Sequence, residues 1–154
     1  MNIKIVIIDK GGKDRLYDPL IEHLIKSSKK FANIEIVELF DKNITRAHEE
    51  GSESAKKAYT KILELYLEEN SVKIALNPTS KIIDSFDMAK ILKDKASITF
   101  FIGGPYGFEK GFIDKSNYSI SFGKITLSHK IAKVVLLEQI FRGLSINNNH
   151  PYHK

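Results

Sequence analysis

The segment Ile3-Lys-Ile-Val-Ile-Ile8 narrows what this chain can become more than any other, because five of its six residues are Ile or Val. Branching at Cβ stiffens a side chain and suits it to a strand. A run with so little polar alternation reads as a strand buried on both faces, as at the centre of a parallel sheet. Such a strand requires helices above and below it, and the remaining sequence supplies them. Asp14–Lys30 carries Leu16, Leu20, Leu24 and Phe31 at helical spacing, and Ile34–Phe40 alternates like a second strand. A longer helix is expected from about Thr45 to Glu69, followed by a third strand over Val72–Leu76 that stops at Asn77-Pro78. Phe86–Leu92 reads as a short helix, and Ile98–Ile102 as a fourth strand closed by Gly103-Gly104-Pro105. Little regular structure is expected from there to a short fifth strand at Tyr118–Phe122, and His129–Ile146 forms the final helix. This alternation predicts the α/β class, a mainly parallel sheet flanked by helices. With no repeat, linker or low-complexity segment, residues 1–154 read as one domain.

Composition removes several function classes. No apolar run approaches the roughly 20 residues a membrane span needs, and the opening strand is too short and too β-branched for a signal peptide. The chain has no cysteine, which excludes disulfides, thiolate metal ligands and a cysteine nucleophile and fits a reducing cytoplasm. Net charge is +5, and its placement is uneven: residues 1–77 hold 13 basic and 13 acidic side chains, residues 78–154 hold 11 and 6. That asymmetry points to a polyanionic partner on the C-terminal side, against the alternative of a solvated surface with a chance imbalance.

Two loops stand out as binding elements. Gly103-Gly-Pro-Tyr-Gly107, with Gly111 nearby, lets backbone approach a ligand and frees its N–H groups. It matches neither GxGxxG nor the Walker pattern, so a phosphate cradle is not expected, and a structural turn is the plainer alternative. The Phe122–Leu127 loop lies after the next strand, and the two together suit an adenine held by main-chain bonds in an apolar pocket. Gly11-Gly12 reads as a strand-to-helix turn. In the final helix, Val134, Val135, Leu137, Ile140, Phe141 and Leu144 exceed what one core face requires, which implies full burial or an oligomer interface. Glu138 and Arg142 stand four apart there, either as a simple i,i+4 pair or as an arginine held for phosphate or carboxylate.

The chain ends His150-Pro-Tyr-His-Lys154, an unusual concentration of chemistry for a terminus. His129, His150 and His153 lack the spacing of metal ligands, and no metal is expected. His150 and His153 suit proton transfer or hydrogen-bond donation near neutral pH, the alternative being a solvated tail.

Phe101-Ile-Gly-Gly-Pro-Tyr-Gly107, Ser116-Asn-Tyr-Ser119, Ile125-Thr-Leu-Ser-His129, Leu136-Leu-Glu-Gln-Ile-Phe-Arg142 and the terminal His-Pro-Tyr-His, in this order and over the whole length, resemble the RlmH family. These are small SPOUT-type methyltransferases that act on N3 of a pseudouridine in helix 69 of 23S ribosomal RNA. The resemblance implies an S-adenosyl-L-methionine-dependent enzyme, cytoplasmic and homodimeric, whose substrate is RNA within the assembled ribosome. It also implies a C-terminal trefoil knot over about residues 72–154. Carried over residue by residue, cofactor positions fall on Leu76, Gly103, Phe122, Gly123, Lys124, Ile125, Thr126 and Leu127. Substrate-side catalytic positions fall on Arg142, His150, Tyr152 and His153, with His153 or Tyr152 at the base edge. Leu76-Asn-Pro-Thr-Ser-Lys81 departs from the family's Leu-Asp-x-x-Gly-Lys, and Ser128 stands where the family has proline. Both changes keep loop length and are expected to alter stiffness rather than binding. The competing classes are a non-catalytic RNA- or ribosome-binding protein on the same scaffold and a flavodoxin-like module. The latter needs a hydroxyl-bearing phosphate loop after the first strand, and Asp9-Lys-Gly-Gly-Lys13 lacks one.

Overall fold

The computed structural model describes residues 1–153; Lys154, the last residue of the tail motif, lies outside the described residues. Five strands, β1 (Asn2–Ile8), β2 (Asn33–Leu39), β3 (Val72–Ile82), β4 (Ser97–Ile102) and β5 (Tyr118–Ser121), form one sheet in the order β2-β1-β4-β3-β5. Every neighbouring pair is parallel. The opening run divides between two apolar cores. Ile3, Ile5 and Ile7 face α1 (Asp18–Ser28), α4 (Ser85–Leu92) and α6 (His129–Asn147), packing among Ile21, Met88 and Ile140. Val6 and Ile8 face the opposite layer, where α2 (Lys42–Glu50), α3 (Ser52–Leu63) and α5 (Lys110–Asp114) supply Ile44, Tyr59, Leu63 and Phe112. A strand covered on both sides has no polar face to spare, which is why its sequence barely alternates.

The departures from expectation have local causes. The predicted Thr45–Glu69 helix is two helices, because Gly51 takes φ +118° between them, outside helical space. Asp41 caps the first, accepting from the Ile44 backbone N–H at 2.8 Å. The short α5 lies within a stretch expected to be irregular. At the other end, α1 begins at Asp18 rather than Asp14. There the Asp14 carboxylate accepts from the backbone N–H groups of Leu16 and Tyr17, making a turn, and Pro19 suits the first helical turn. The helix buries Ile21, Leu24 and Ser28, so Leu16 and Leu20 point outward, 74% and 45% exposed.

Two features place the functional region. Strand β3 pairs with β5 through Leu76, leaves register, and returns at Lys81 and Ile82, so residues 77–80 arch over the end of β5. The buried Ser121 hydroxyl lies beneath this arch, 3.2 Å from the Pro78 carbonyl oxygen and 2.7 Å from that of Gly123. Secondly, α6 packs tightly on α4. A Cβ at Gly143 would stand 3.0 Å from Leu92 Cδ1 and 3.2 Å from the Ala89 backbone nitrogen, so a larger residue must push the helices apart. Among the described residues, no helix is long and apolar enough to cross a membrane.

Candidate active site

The segments that follow Leu76 of β3, Ile102 of β4 and Ser121 of β5 enclose a cleft of about 640 Å³ at one edge of the sheet. Open parallel sheets bind ligands at this edge, and the volume lies in the usual range for small-molecule sites. Leu76 and Ile120 form its floor; Gly103, Phe122, Gly123, Ile125, Thr126 and Leu127 line the walls. Lys124 is exposed and lies outside the lining. The lining also takes in Asn77, Pro78 and Thr79 from the arch, Gly104 to Phe108 from the glycine loop, and His129 and Ala132 from α6. The arch was legible only as the end of a strand. Its return to the sheet at Lys81, which turns it into a wall, has no signature in Asn-Pro-Thr-Ser.

The wall contains no Asp, Glu, Lys or Arg. A neutral cleft rimmed by backbone suits an uncharged heterocycle beside an apolar surface, and it offers no cation to hold a phosphate chain. Gly123 sits at φ +144°, a conformation that side-chain-bearing residues rarely adopt, and its N–H donates to Ser121 Oγ at 3.2 Å. Ser121 therefore ties the arch and the Phe122–Leu127 loop to one buried hydroxyl.

The start of α6 is clamped to the sheet by charge. Ser128 caps the helix through the Ile131 N–H. Lys133, almost wholly buried, reaches Glu38 at 2.6 Å and Asp9 at 3.7 Å, and His129 Nε2 lies 3.4 Å from Asp9 Oδ1. Beside them Lys130 meets Asp14 at 2.6 Å. That ammonium holds the Asp14 carboxyl below its ordinary range, and the carboxylate in turn raises Lys130.

At the far end of α6 the tail is docked, not loose. The Arg142 guanidinium donates through Nε and Nη2 to Glu138 Oε1, at 2.9 and 2.7 Å, and the Tyr152 hydroxyl donates to the same oxygen at 3.0 Å. Arg142 also lies 4.8 Å above the Tyr152 ring, which packs on Phe141 at 4.4 Å. Glu138 holds Arg142 firmly protonated, while burial, reinforced by the Glu138 bond, raises Tyr152 above its ordinary range. His150 stands edge-on to Phe31, and its backbone N–H donates to the Ser145 carbonyl at 2.9 Å. His153 packs edge-on against Phe86 at 4.9 Å, and its buried Nδ1 has no partner among the described residues.

Arg142, His150, Tyr152 and His153 thus come together, and none of them lines the cleft. Thirteen residues of helix from His129 to Arg142 span about 20 Å, so one chain does not bring its own tail to its own cleft. The i,i+4 spacing of Glu138 and Arg142 was legible in the sequence, but the third member, Tyr152 on the same carboxylate, was not.

A sequence profile for the family described as "Predicted SPOUT methyltransferase" matches residues 1–153. The chain is 59% identical over 154 residues to a protein of Sulfurovum sp. named "Ribosomal RNA large subunit methyltransferase H", covering all of both chains. A Nitratiruptor sp. protein of the same name is 46% identical over 152 residues, covering 98% of this chain and 99% of the other. Among solved structures, a probable methylase family protein from Haemophilus influenzae aligns with TM-score 0.57 at 14% identity, over 99% of this chain and 70% of that one. At that identity the likeness is one of fold.

Proposed function

The chain belongs to the SPOUT methyltransferase family, and from that premise we propose that it methylates N3 of a pseudouridine in helix 69 of 23S ribosomal RNA, using S-adenosyl-L-methionine. The observation that carries this reading is the neutral cleft bounded by the glycine loop and the Phe122–Leu127 loop, which suits an adenosyl group and gives a phosphate chain no counter-charge. Its curated relatives carry ribosomal RNA in their names. When bound, the cofactor supplies an electrophilic methyl group on a sulfonium. Leu76, Gly103, Phe122, Gly123, Ile125, Thr126 and Leu127 would hold it, with Lys124 at the rim.

The residues of the tail act on the acceptor. N3–H of pseudouridine lies between two carbonyls, so loss of its proton spreads negative charge over both oxygens, and that charge needs a donor. Arg142, kept charged and aimed by Glu138, is that donor. Tyr152 is held as a phenol, which suits it to donate or to stack rather than to accept the proton. That leaves His153 as the proton acceptor, with His150 bracing the tail against Phe31.

The separation of cleft and tail is resolved by a homodimer in which each tail serves the other chain's cleft. Leu16, Leu20 and Ile131 are exposed on segments that the Asp14–Lys130 pair joins, and would supply apolar surface for a twofold contact. The arch of residues 77–80 over β5 fits the threading of a trefoil knot within residues 72–154. A chain this small acts as a single domain in the cytoplasm, with the basic C-terminal half meeting RNA backbone. Labelled cofactor incubated with ribosomes lacking the modification, followed by mapping of the modified base, tests the reading. Methyl on N3 of the helix 69 pseudouridine is expected, with far less transfer to a bare helix 69 oligonucleotide. Transfer to another base, or none, overturns it.

A further inference from the structure

Resting on the reading of the cleft as the cofactor pocket, we propose that Tyr59 and His48 are positioning residues for it: they form a latch beneath the Gly103–Gly107 loop that sets the height of its backbone. Neither residue touches the cleft; both stand in the helical layer behind it. Tyr59, on α3, is completely buried, and its ring lies directly under Gly104. A Cβ at Gly104 would fall 2.6 Å from both Cζ and the hydroxyl oxygen of Tyr59, a distance real Cβ atoms do not reach. Gly104 is not among the positive-φ residues, so glycine is needed there for space and not for backbone conformation. The tyrosine ring is therefore the floor on which the loop rests.

The hydroxyl of Tyr59 is hydrogen-bonded to His48 Nε2 on α2. Burial pushes the phenol up to about 12, so the hydroxyl keeps its proton and shares one hydrogen bond with the imidazole nitrogen. The break at Gly51 folds α2 against α3 and brings these two residues, 11 apart in sequence, face to face. The His48 ring also stands edge-on to Tyr106 at 5.4 Å, so the pair grips the loop from below at Gly104 and from the side at Tyr106. The loop moves as a unit, because Gly107 N–H donates to the Gly104 carbonyl at 3.0 Å and a Cβ at Gly103 would meet the Gly107 carbonyl carbon at 3.3 Å. A phenylalanine would fill the same core volume. The hydroxyl adds the bond to His48 that fixes ring, imidazole and loop together.

The test measures two things on the full-length protein: calorimetric affinity for S-adenosylmethionine, and amide hydrogen exchange across residues 103–107 without it. Tyr59→Phe keeps the ring and removes the bond, and His48→Ala removes the partner from a half-buried position. Each is expected to weaken cofactor binding about five- to tenfold, the value of one buried hydrogen bond. Each should also speed loop exchange by a similar factor. The half-saturating concentration of ribosomal substrate should stay within about twofold, and His48→Gln should recover most of the lost affinity because it restores a hydrogen-bonding group. Unchanged affinity and exchange in Tyr59→Phe overturn the latch while leaving the pocket reading intact. Equal weakening toward cofactor and RNA also overturns it, since that marks general loosening. If the unaltered protein gives no binding heat with the cofactor, the pocket reading fails and the latch fails with it.

Discussion

At the start of α6 the cleft offers backbone groups and apolar walls, with His129 its one titratable imidazole. At the end of the same helix Arg142 and Tyr152 share the Glu138 carboxylate, with His153 beside them in the chain on Phe86. The contrast separates two ways of building a site. Binding by main chain tolerates most changes of side chain but not of backbone conformation, so its sensitive points are Gly123, Gly104 and Ser121. A side-chain cluster behaves oppositely: its helical backbone is ordinary, and everything depends on which groups share Glu138 Oε1. One helix links both, with His129 and Arg142 about 20 Å apart, so the two are separate regions, which the proposed function assigns to cofactor and acceptor.

The largest effect should come from removing the shared carboxylate. Glu138→Ala leaves Arg142 and Tyr152 without their common acceptor, and methyl transfer to ribosomes is expected to fall on the order of a hundredfold. Calorimetric affinity for S-adenosylmethionine should stay within about twofold; a parallel loss of cofactor binding would break the division of labour. Gly123→Val attacks the other end. Strain at φ +144° is expected to weaken cofactor binding on the order of tenfold or more, and saturating cofactor should restore much of the rate. Kinetics that stay low at saturation would place Gly123 in the chemistry.

Mixing these two variants sharpens the comparison. If clefts are served by the partner's tail, random pairing leaves one intact site in each mixed dimer, and activity should recover to about a quarter of the unaltered level. A mixture no more active than its parents would mean that each chain works alone. The smallest expected effect concerns acid stability near the cleft. Because Lys130 depresses the Asp14 carboxyl below its ordinary 3.8, the pair contributes stability that is present above that value and lost as pH falls through the depressed one. Acid unfolding followed by circular dichroism should thus begin at higher pH in Asp14→Asn. An unmoved acid limb would show that the pair adds nothing, as exposed pairs often do not.

Much of the fold was legible because burial leaves a period in sequence. Ile3–Ile8 announced a two-sided strand, and Gly103-Gly104 marked the end of another. What failed was orientation and interruption. Leu16 and Leu20 have helical spacing with Leu24, yet Asp14 turns the chain before α1 begins and the helix meets the sheet through Ile21, leaving both leucines outside. A single glycine at position 51 divided the expected long helix, and only its φ reveals it as a break rather than a tolerated residue. Both loops of the cleft stood out in the sequence, one by its glycines and one by its place after the next strand, while His129, Pro78 and Thr79 join the cleft through contacts that no local pattern encodes.

By itself the sequence determined the layer order, the parallel sheet and the two loops, since each follows from side-chain size and backbone freedom within a few residues. The tertiary structure alone decided that the tail docks on Glu138 instead of in its own chain's cleft, that residues 77–80 arch over β5, and that Tyr59 rather than solvent lies beneath Gly104. Those are relations between residues tens of positions apart, set by which helix faces bury best against one sheet. A linear pattern records the demand for burial but not the neighbour that meets it.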